Sequence, residues 1–203
     1  MWGHLFIFLS TVASLYIVYK EYGDSYHDYK LALFWSGIIW LLSQVVHAVN
    51  IEVLHSIPDI LVVFANSTLL TSFLMLIRNL KPEFFRYPYP TVFVPFMLPV
   101  AYLTVLGSSI MQSLIFFSMQ AVTLLVFIIL STGYWKRMKL RPKLPLAAIS
   151  LLSLAFIIHW ALEDLHNIFQ FIWQLFLSLG MIFSVYTFSD ITRQQNYSED
   201  TNV

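Results

Sequence analysis

The sequence contains no cysteine and few charged residues, and both absences restrict what the protein can be. Without cysteine there can be no disulfide, no thiolate metal site and no cysteine nucleophile. Charged residues make up 11% of the chain, against about 25% in soluble proteins, while hydrophobic residues make up 59%. A soluble fold of 203 residues has too little interior to bury so much apolar surface. The composition therefore predicts an integral membrane protein.

Positive charge is missing from the start of the chain, and several enzyme motifs are missing from all of it. No Lys or Arg precedes the first apolar run, so residues 2–19 are expected to form a retained helix rather than a cleaved signal peptide. The sequence has no GxSxG, GxxxxGK or HExxH pattern, so it offers no phosphate-binding loop and no zincin helix. The formal net charge is zero, and we expect no nucleic-acid partner.

Long apolar runs are what the sequence has instead. A membrane-spanning helix needs about 20 mostly apolar residues. Seven runs meet this need, at residues 2–19, 31–50, 58–78, 90–107, 110–134, 145–163 and 167–189. Ser56 followed by Pro58 indicates a helix start after the second run. The last two runs are together too long for one span, so a break is expected near residues 163–167.

The cations give these runs an orientation. All eleven Lys and Arg fall on one side of the seven segments, at Lys20, Lys30, Arg78, Lys81, Arg86, Lys136, Arg137, Lys139, Arg141, Lys143 and Arg193. The positive-inside rule makes this side cytoplasmic. The predicted fold is therefore all-α, with seven transmembrane helices, the N-terminus outside and the C-terminus in the cytosol. We expect one domain over residues 1–190, a short polar cytosolic tail over 191–203, and a multi-pass location in the cell membrane.

The outer side carries carboxylates and histidines and no cation. These residues are Glu52, Asp59, Glu163, Asp164, His4, His47, His55, His159 and His166. A carboxylate in or near a bilayer normally needs a partner of opposite charge. Because no Lys or Arg lies on this side, a metal ion is the expected partner.

A short internal repeat brings these residue types together. Glu52 and His55 recur as Glu163 and His166 at an offset of 111 residues, and His47 matches His159 after a one-residue adjustment. The repeat predicts two halves of three helices joined by segment four, a three-plus-one-plus-three layout. In repeated membrane folds the binding sites often lie where the repeats meet.

The repeated pattern predicts a metal centre near the outer leaflet, mononuclear or dinuclear. Glu and His three positions apart project from one helix face, as in carboxylate-bridged di-iron bundles. The expected ligands are His47, Glu52, His55, His159, Glu163 and His166, and the expected supporting groups are Asp59, Asp164 and Gln170. Nitrogen-rich ligation without thiolate favours zinc or iron, then copper. Interfacial polar packing and a haem held by two of the histidines are the alternatives.

In topology the layout resembles that of the microbial rhodopsins and the sugar-transporting SWEET proteins. The likeness is carried by helix number and orientation and not by motifs. Segment seven contains no lysine, so a retinal Schiff base is excluded. The Pro-Gln signature of SWEET-related transporters is also missing, so no residue role is transferred from either family.

Three functions remain open at this point. The first is a membrane metalloprotein, whose metal would activate water or oxygen toward a lipidic or small hydrophobic substrate. The second is a transporter or channel for a cation or small solute, lined by polar residues of segments three and seven. The third is a sensor or interaction subunit that docks a membrane partner or a second copy. Membrane lipids are expected partners in each case.

The absence of native cysteine makes the orientation directly testable. In intact cells, a membrane-impermeant maleimide should label a Ser108→Cys variant, because residue 108 is predicted to lie outside. The matched Ser25→Cys variant should be labelled only after the membrane is opened, because residue 25 is predicted to lie in the cytosol. The reverse pattern would contradict the orientation.

Overall fold

Helices account for all the secondary structure in the described part of the chain. The computed structural model describes residues 2–22, 28–49, 56–81, 86–138, 143–162 and 167–200. These residues form α1 (Trp2–Tyr22), α2 (Asp28–Val49), α3 (Ile57–Leu80), a 3₁₀ helix (Tyr89–Phe96), α4 (Met97–Thr104), α5 (Ser109–Met138), α6 (Lys143–Leu162) and α7 (Asn167–Asp200).

The predicted all-α class is confirmed, and seven α-helices correspond to the seven apolar segments. Among the described residues, five helices are long and apolar enough to cross a membrane. They are Asp28–Val49, Ile57–Leu80, Ser109–Gly133, Lys143–Leu162 and Ile168–Ile191. The predicted start of α3 is confirmed, since Ser56 is its N-cap and Pro58 lies in its first turn. The residues predicted as a cytosolic tail begin inside α7, which continues to Asp200.

Segment four is not a continuous α-helix. Its first half is the 3₁₀ helix and its second half is α4. Pro95 and Pro99 lie within this stretch, and a proline has no N–H to donate to an α-helical hydrogen bond. Eight residues at about 2.0 Å each and eight at about 1.5 Å each extend about 28 Å, close to the roughly 30 Å of a hydrocarbon core. The 3₁₀ geometry therefore lengthens a short apolar segment.

The chain divides into two compact units, each of which is described by itself. The central unit is Tyr22–Thr123, and the terminal unit combines Met1–Glu21 with Leu124–Val203. The central unit is built on the antiparallel hairpin of α2 and α3, and the terminal unit on that of α6 and α7. Phe6 of α1 packs edge-to-face on Phe171 of α7 within the terminal unit.

Small side chains set the register of the α2–α3 hairpin. The Ser36 hydroxyl donates to the Ala65 carbonyl at 2.8 Å, and the Ser72 hydroxyl donates to the Tyr29 carbonyl at 2.7 Å. The two contact residues of each helix are seven positions apart. This spacing places both of them on the face that packs against the partner helix. Small residues at such a face allow two backbones to approach closely, as is common between membrane helices.

The α6–α7 hairpin uses a glycine for the same purpose. A Cβ built on Gly180 would lie 2.8 Å from Cδ2 of Leu152 and 3.3 Å from its backbone nitrogen. Seven positions away on each helix, the rings of His159 and Trp173 lie 4.6 Å apart between centroids. Gly180 is therefore a contact position, because its missing side chain lets α6 approach.

Many small polar side chains are buried, and many large apolar side chains are exposed. On α1, for example, Ser10, Thr11 and Ser14 are buried, while Leu5 and Leu9 are exposed. The Thr11 hydroxyl donates to the Ile7 carbonyl at 2.7 Å, so its hydrogen is satisfied within its own helix. A helix whose apolar side chains face outward fits lipid as its surroundings rather than water.

The contact at Gly180 can be tested by adding one methyl group. Gly180→Ala should destabilise the protein by about 1–3 kcal/mol, because the new Cβ overlaps Leu152. The matched Gly133→Ala change in α5 meets nothing within 4 Å, so it should be neutral or slightly stabilising. Thermal unfolding in a mild detergent measures both. Equal midpoints for the two variants would contradict the contact role.

Candidate functional site

The structure describes two of the six expected metal ligands. These are His47 in α2 and His159 in α6. The other four lie outside the described residues, namely Glu52, His55, Glu163 and His166. Of the expected supporting groups, Asp59 and Gln170 are described, and Asp164 is not. The described ligands can therefore be placed, while the coordination itself stays a prediction.

His47 lies in the last turn of α2. It follows Ser36 and Ser43 on one helical face, since it comes eleven residues after the first and four after the second. Both serines are buried, whereas His47 is exposed, two residues before α2 ends at Val49. The imidazole is thus placed next to the connection between α2 and α3, outside the packed part of the hairpin.

His159 lies at the corresponding end of the other hairpin and is half-buried. Its ring centroid is 5.0 Å from that of Trp160 and 4.6 Å from that of Trp173. The rings meet at 69° and 47°, which are edge-on or tilted arrangements favoured by aromatic pairs. The two indoles therefore fix the imidazole at the end of α6, three residues before this helix ends at Leu162.

The two histidines thus occupy equivalent places within their own units. Each lies in the last turn of the first helix of its hairpin, on the face turned to the second helix. Each is followed within five residues by its own Glu-x-x-His sequence. We call residues 47–55 and residues 159–166 the two hairpin corners. The sequence of each corner contains two histidines and the glutamate of its Glu-x-x-His pattern.

The internal repeat, however, is not confirmed by the packing of the hairpins. The alignment that matches His47 with His159 also matches Val62 with Trp173, the residue that His159 contacts. In the α2–α3 hairpin, Ser36 is level with Ala65, which places Val62 level with Ile39. Ile39 is about two helical turns from His47. The two hairpins therefore pair in different registers, although their corners share a sequence pattern.

The polar stripes predicted on segments three and seven divide into exposed and buried parts. Asp59 and Gln170 are exposed in the first turns of α3 and α7. Deeper in the helices, Asn66 and Gln174 are buried. The Asn66 amide nitrogen donates to the Val62 carbonyl at 3.0 Å, a bond within its own helix.

The described side chains do not by themselves form a metal centre. No group of three or more His, Asp or Glu that could hold a metal is found among the residues that the structure describes. This is the expected result for any site that needs the two Glu-x-x-His stretches, because both lie outside those residues.

The tryptophans around His159 are the feature that sequence reasoning missed. Trp160 directly follows His159 in the sequence, but nothing in the sequence pairs Trp173 with this histidine. Trp173 and Gly180 are seven residues apart, a spacing that places both on one face of α7. This spacing is the sequence signal that could have indicated that Trp173 faces α6.

Comparisons with known proteins add no function to this geometry. No family model, no curated protein and no solved structure matches the chain.

Proposed function

We propose that the chain crosses the membrane seven times, with its N-terminus outside. Five helices are long enough by themselves, and the 21 residues of α1 extend about 32 Å. The 3₁₀ helix and α4 together extend about as far as the hydrocarbon core is thick. The placement of all eleven cations at one set of helix ends supports the orientation.

In this arrangement the two hairpin corners form a metal-binding region near the outer leaflet. The observation that supports it is the matching position of His47 and His159, each at the outer end of a hairpin and directly before a Glu-x-x-His sequence. Two imidazoles with one carboxylate form the ligand set of several zinc enzymes and of non-haem iron oxygenases. Each corner accordingly binds one zinc or iron ion, for a total of two.

The corner chemistry suits a substrate that reaches the protein through the lipid. A metal held by three protein ligands keeps positions open for water or substrate. It can then polarise a carbonyl or phosphoryl oxygen, or supply a hydroxide at neutral pH. Asp59, Gln170 and Asp164 are placed by sequence near the same ends and would orient the imidazoles. The substrate class proposed is therefore lipidic or small and hydrophobic.

A transporter or channel is the second candidate, favoured by the buried polar side chains. Asn66 and Thr71 in the central unit, and Gln174 and Ser178 in the terminal unit, lie in interiors that lipid-facing helices could fill with apolar residues. Ion or solute flux in proteoliposomes would support this candidate. Impermeable proteoliposomes made with metal-loaded protein would support the metalloprotein.

Elemental analysis of the purified, full-length protein tests the metal region. The wild type should contain about two metal ions per chain, as a two-His, one-Glu set at each corner implies. His55→Ala and His166→Ala should each remove about half of the metal, and the double variant should remove all of it.

The sixth histidine provides the matched control. His27 lies in the predicted cytosolic connection, so His27→Ala should keep the full metal content. A folded wild type without metal at neutral pH would overturn the proposal. A double variant that keeps its metal would do the same.

A further inference from the structure

A frame of tyrosines and arginine joins three elements at the inner end of the central unit. Here α2 begins, α3 ends and the 3₁₀ helix begins. Nε of Arg78 donates to the Tyr87 carbonyl at 3.0 Å, and its guanidinium carbon lies 5.3 Å from the centroid of the Tyr89 ring. The Tyr89 hydroxyl in turn donates to Oδ2 of Asp28 at 2.9 Å. The arginine is therefore held in one orientation by a backbone bond and an aromatic face.

Two further cations are attached to the same frame. Nζ of Lys81 lies 5.3 Å from the centroid of the Tyr87 ring, and the Tyr87 hydroxyl donates to the Leu74 carbonyl. Nε of Arg86 donates to the Lys81 carbonyl at 3.0 Å, while the Arg86 side chain is exposed. Among the described residues, carbonyls and aromatic rings are the groups that position these three cations.

This arrangement suits a phosphate as the outside partner. A guanidinium has five N–H donors, and the backbone bonds of Arg78 and Arg86 each use the donor at Nε. The terminal amino groups of the fork have the geometry that binds phosphate oxygens in pairs. The stretch 78–89 contains three cations and one acid, Glu83, so it attracts anions.

An exposed aromatic surface continues from the cations along the 3₁₀ helix. The rings of Tyr89 and Phe93 lie 5.8 Å apart, and those of Phe93 and Phe96 lie 6.4 Å apart. Tyr89 and Phe93 are 40% and 44% exposed, and Met97 beyond them is 70% exposed. A phospholipid has both parts that this surface fits, because its headgroup is anionic and its acyl chains are apolar. A free phosphate would use only the cations.

We propose that this end of the central unit, where α3 ends and the 3₁₀ helix begins, is a binding site for an anionic phospholipid of the inner leaflet. Its headgroup phosphate is held by Arg78, Lys81 and Arg86, and its acyl chain lies along Tyr89 and Phe93. The site rests on the seven-span orientation proposed above, which places these cations in the cytosol. It does not depend on metal at the outer corners.

Lipid titration of the purified full chain in a neutral detergent tests the site. Phosphatidylglycerol should raise the midpoint of thermal unfolding and appear as bound lipid in native mass spectra. Phosphatidylcholine with the same acyl chains, and inorganic phosphate alone, should do neither. Arg78→Gln and Arg86→Gln should each weaken phosphatidylglycerol binding about fivefold. Arg78→Lys should weaken it too, because a lysine keeps the charge and loses the fork.

Lys20→Gln is the matched control. Lys20 is an exposed cation in the last turn of α1 and is predicted to lie on the same side of the membrane. Its loss should leave the affinity for phosphatidylglycerol unchanged. Equal weakening by Lys20→Gln and Arg86→Gln would overturn the site and leave only general charge attraction. Equal stabilisation by inorganic phosphate would replace the lipid with a free anion and overturn it as well.

A second variant and a metal measurement complete the test. Should Arg78→Gln fail to fold, Arg86→Gln carries the test, because its exposed side chain contacts a single backbone carbonyl in the described structure. Metal content should be the same in these variants as in the wild type. Loss of lipid binding with metal retained would therefore separate this site from the outer metal region.

Discussion

The requirement that every backbone polar group find a partner inside the chain governs this structure. In hydrocarbon, an unsatisfied backbone N–H or C=O costs several kcal/mol, so the spanning segments must be helical. Many side-chain hydroxyls meet the same requirement, although the buried hydroxyls of Ser14, Ser67, Thr71 and Ser131 make no hydrogen bond in the described structure. Thr187 donates to the Phe183 carbonyl at 2.9 Å within α7, and Ser36 donates across to Ala65 at 2.8 Å. A hydroxyl that is bonded in this way can be buried in the interior at little cost, while many large apolar side chains, such as Leu5 and Leu9, are exposed.

Close packing follows from the same surroundings. Lipid is as apolar as leucine, so burying leucine between two helices gains little, and helix pairs depend on close contact and hydrogen bonds. The central unit achieves this contact with Ser36, Ala65 and Ser72, and the terminal unit with Gly180. The hairpins in turn determine where the candidate site residues lie. His47 and His159 lie in the last turns of α2 and α6, next to the connections that contain the Glu-x-x-His sequences.

Helix number and helix ends could be predicted from the sequence because they depend on local chemistry. Apolar run length, Ser56 before Pro58 and the placement of lysines and arginines are all visible in one chain. The register of the hairpins could not be predicted, since it depends on which small residues meet across two helices. The sequence around Ser36 does not indicate that its hydroxyl donates to the carbonyl of Ala65 in the next helix. The prolines of segment four are likewise visible in the sequence, whereas its eight residues of 3₁₀ helix are not.

The candidate site was predictable to a smaller extent. The rare residues Glu and His identified both corners, and the structure places His47 and His159 at matching hairpin ends. The repeat suggested that the hairpins themselves are copies, and their different registers do not support this reading. Four matching residues in a six-residue window can arise from a shared requirement for ligands, whereas a shared register requires the same residues along both helices.

Cross-linking in the naturally cysteine-free chain tests the hairpin register most directly. Two cysteines can form a disulfide only when their Cα atoms lie within about 7 Å. The pair Ser36→Cys with Ala65→Cys should cross-link under mild oxidation in native membranes, as peptide mass spectrometry would detect. The pair His47→Cys with Val62→Cys, which the repeat would bring together, should remain reduced. Cross-linking of the second pair in place of the first would contradict the register on which both hairpins and their corners depend.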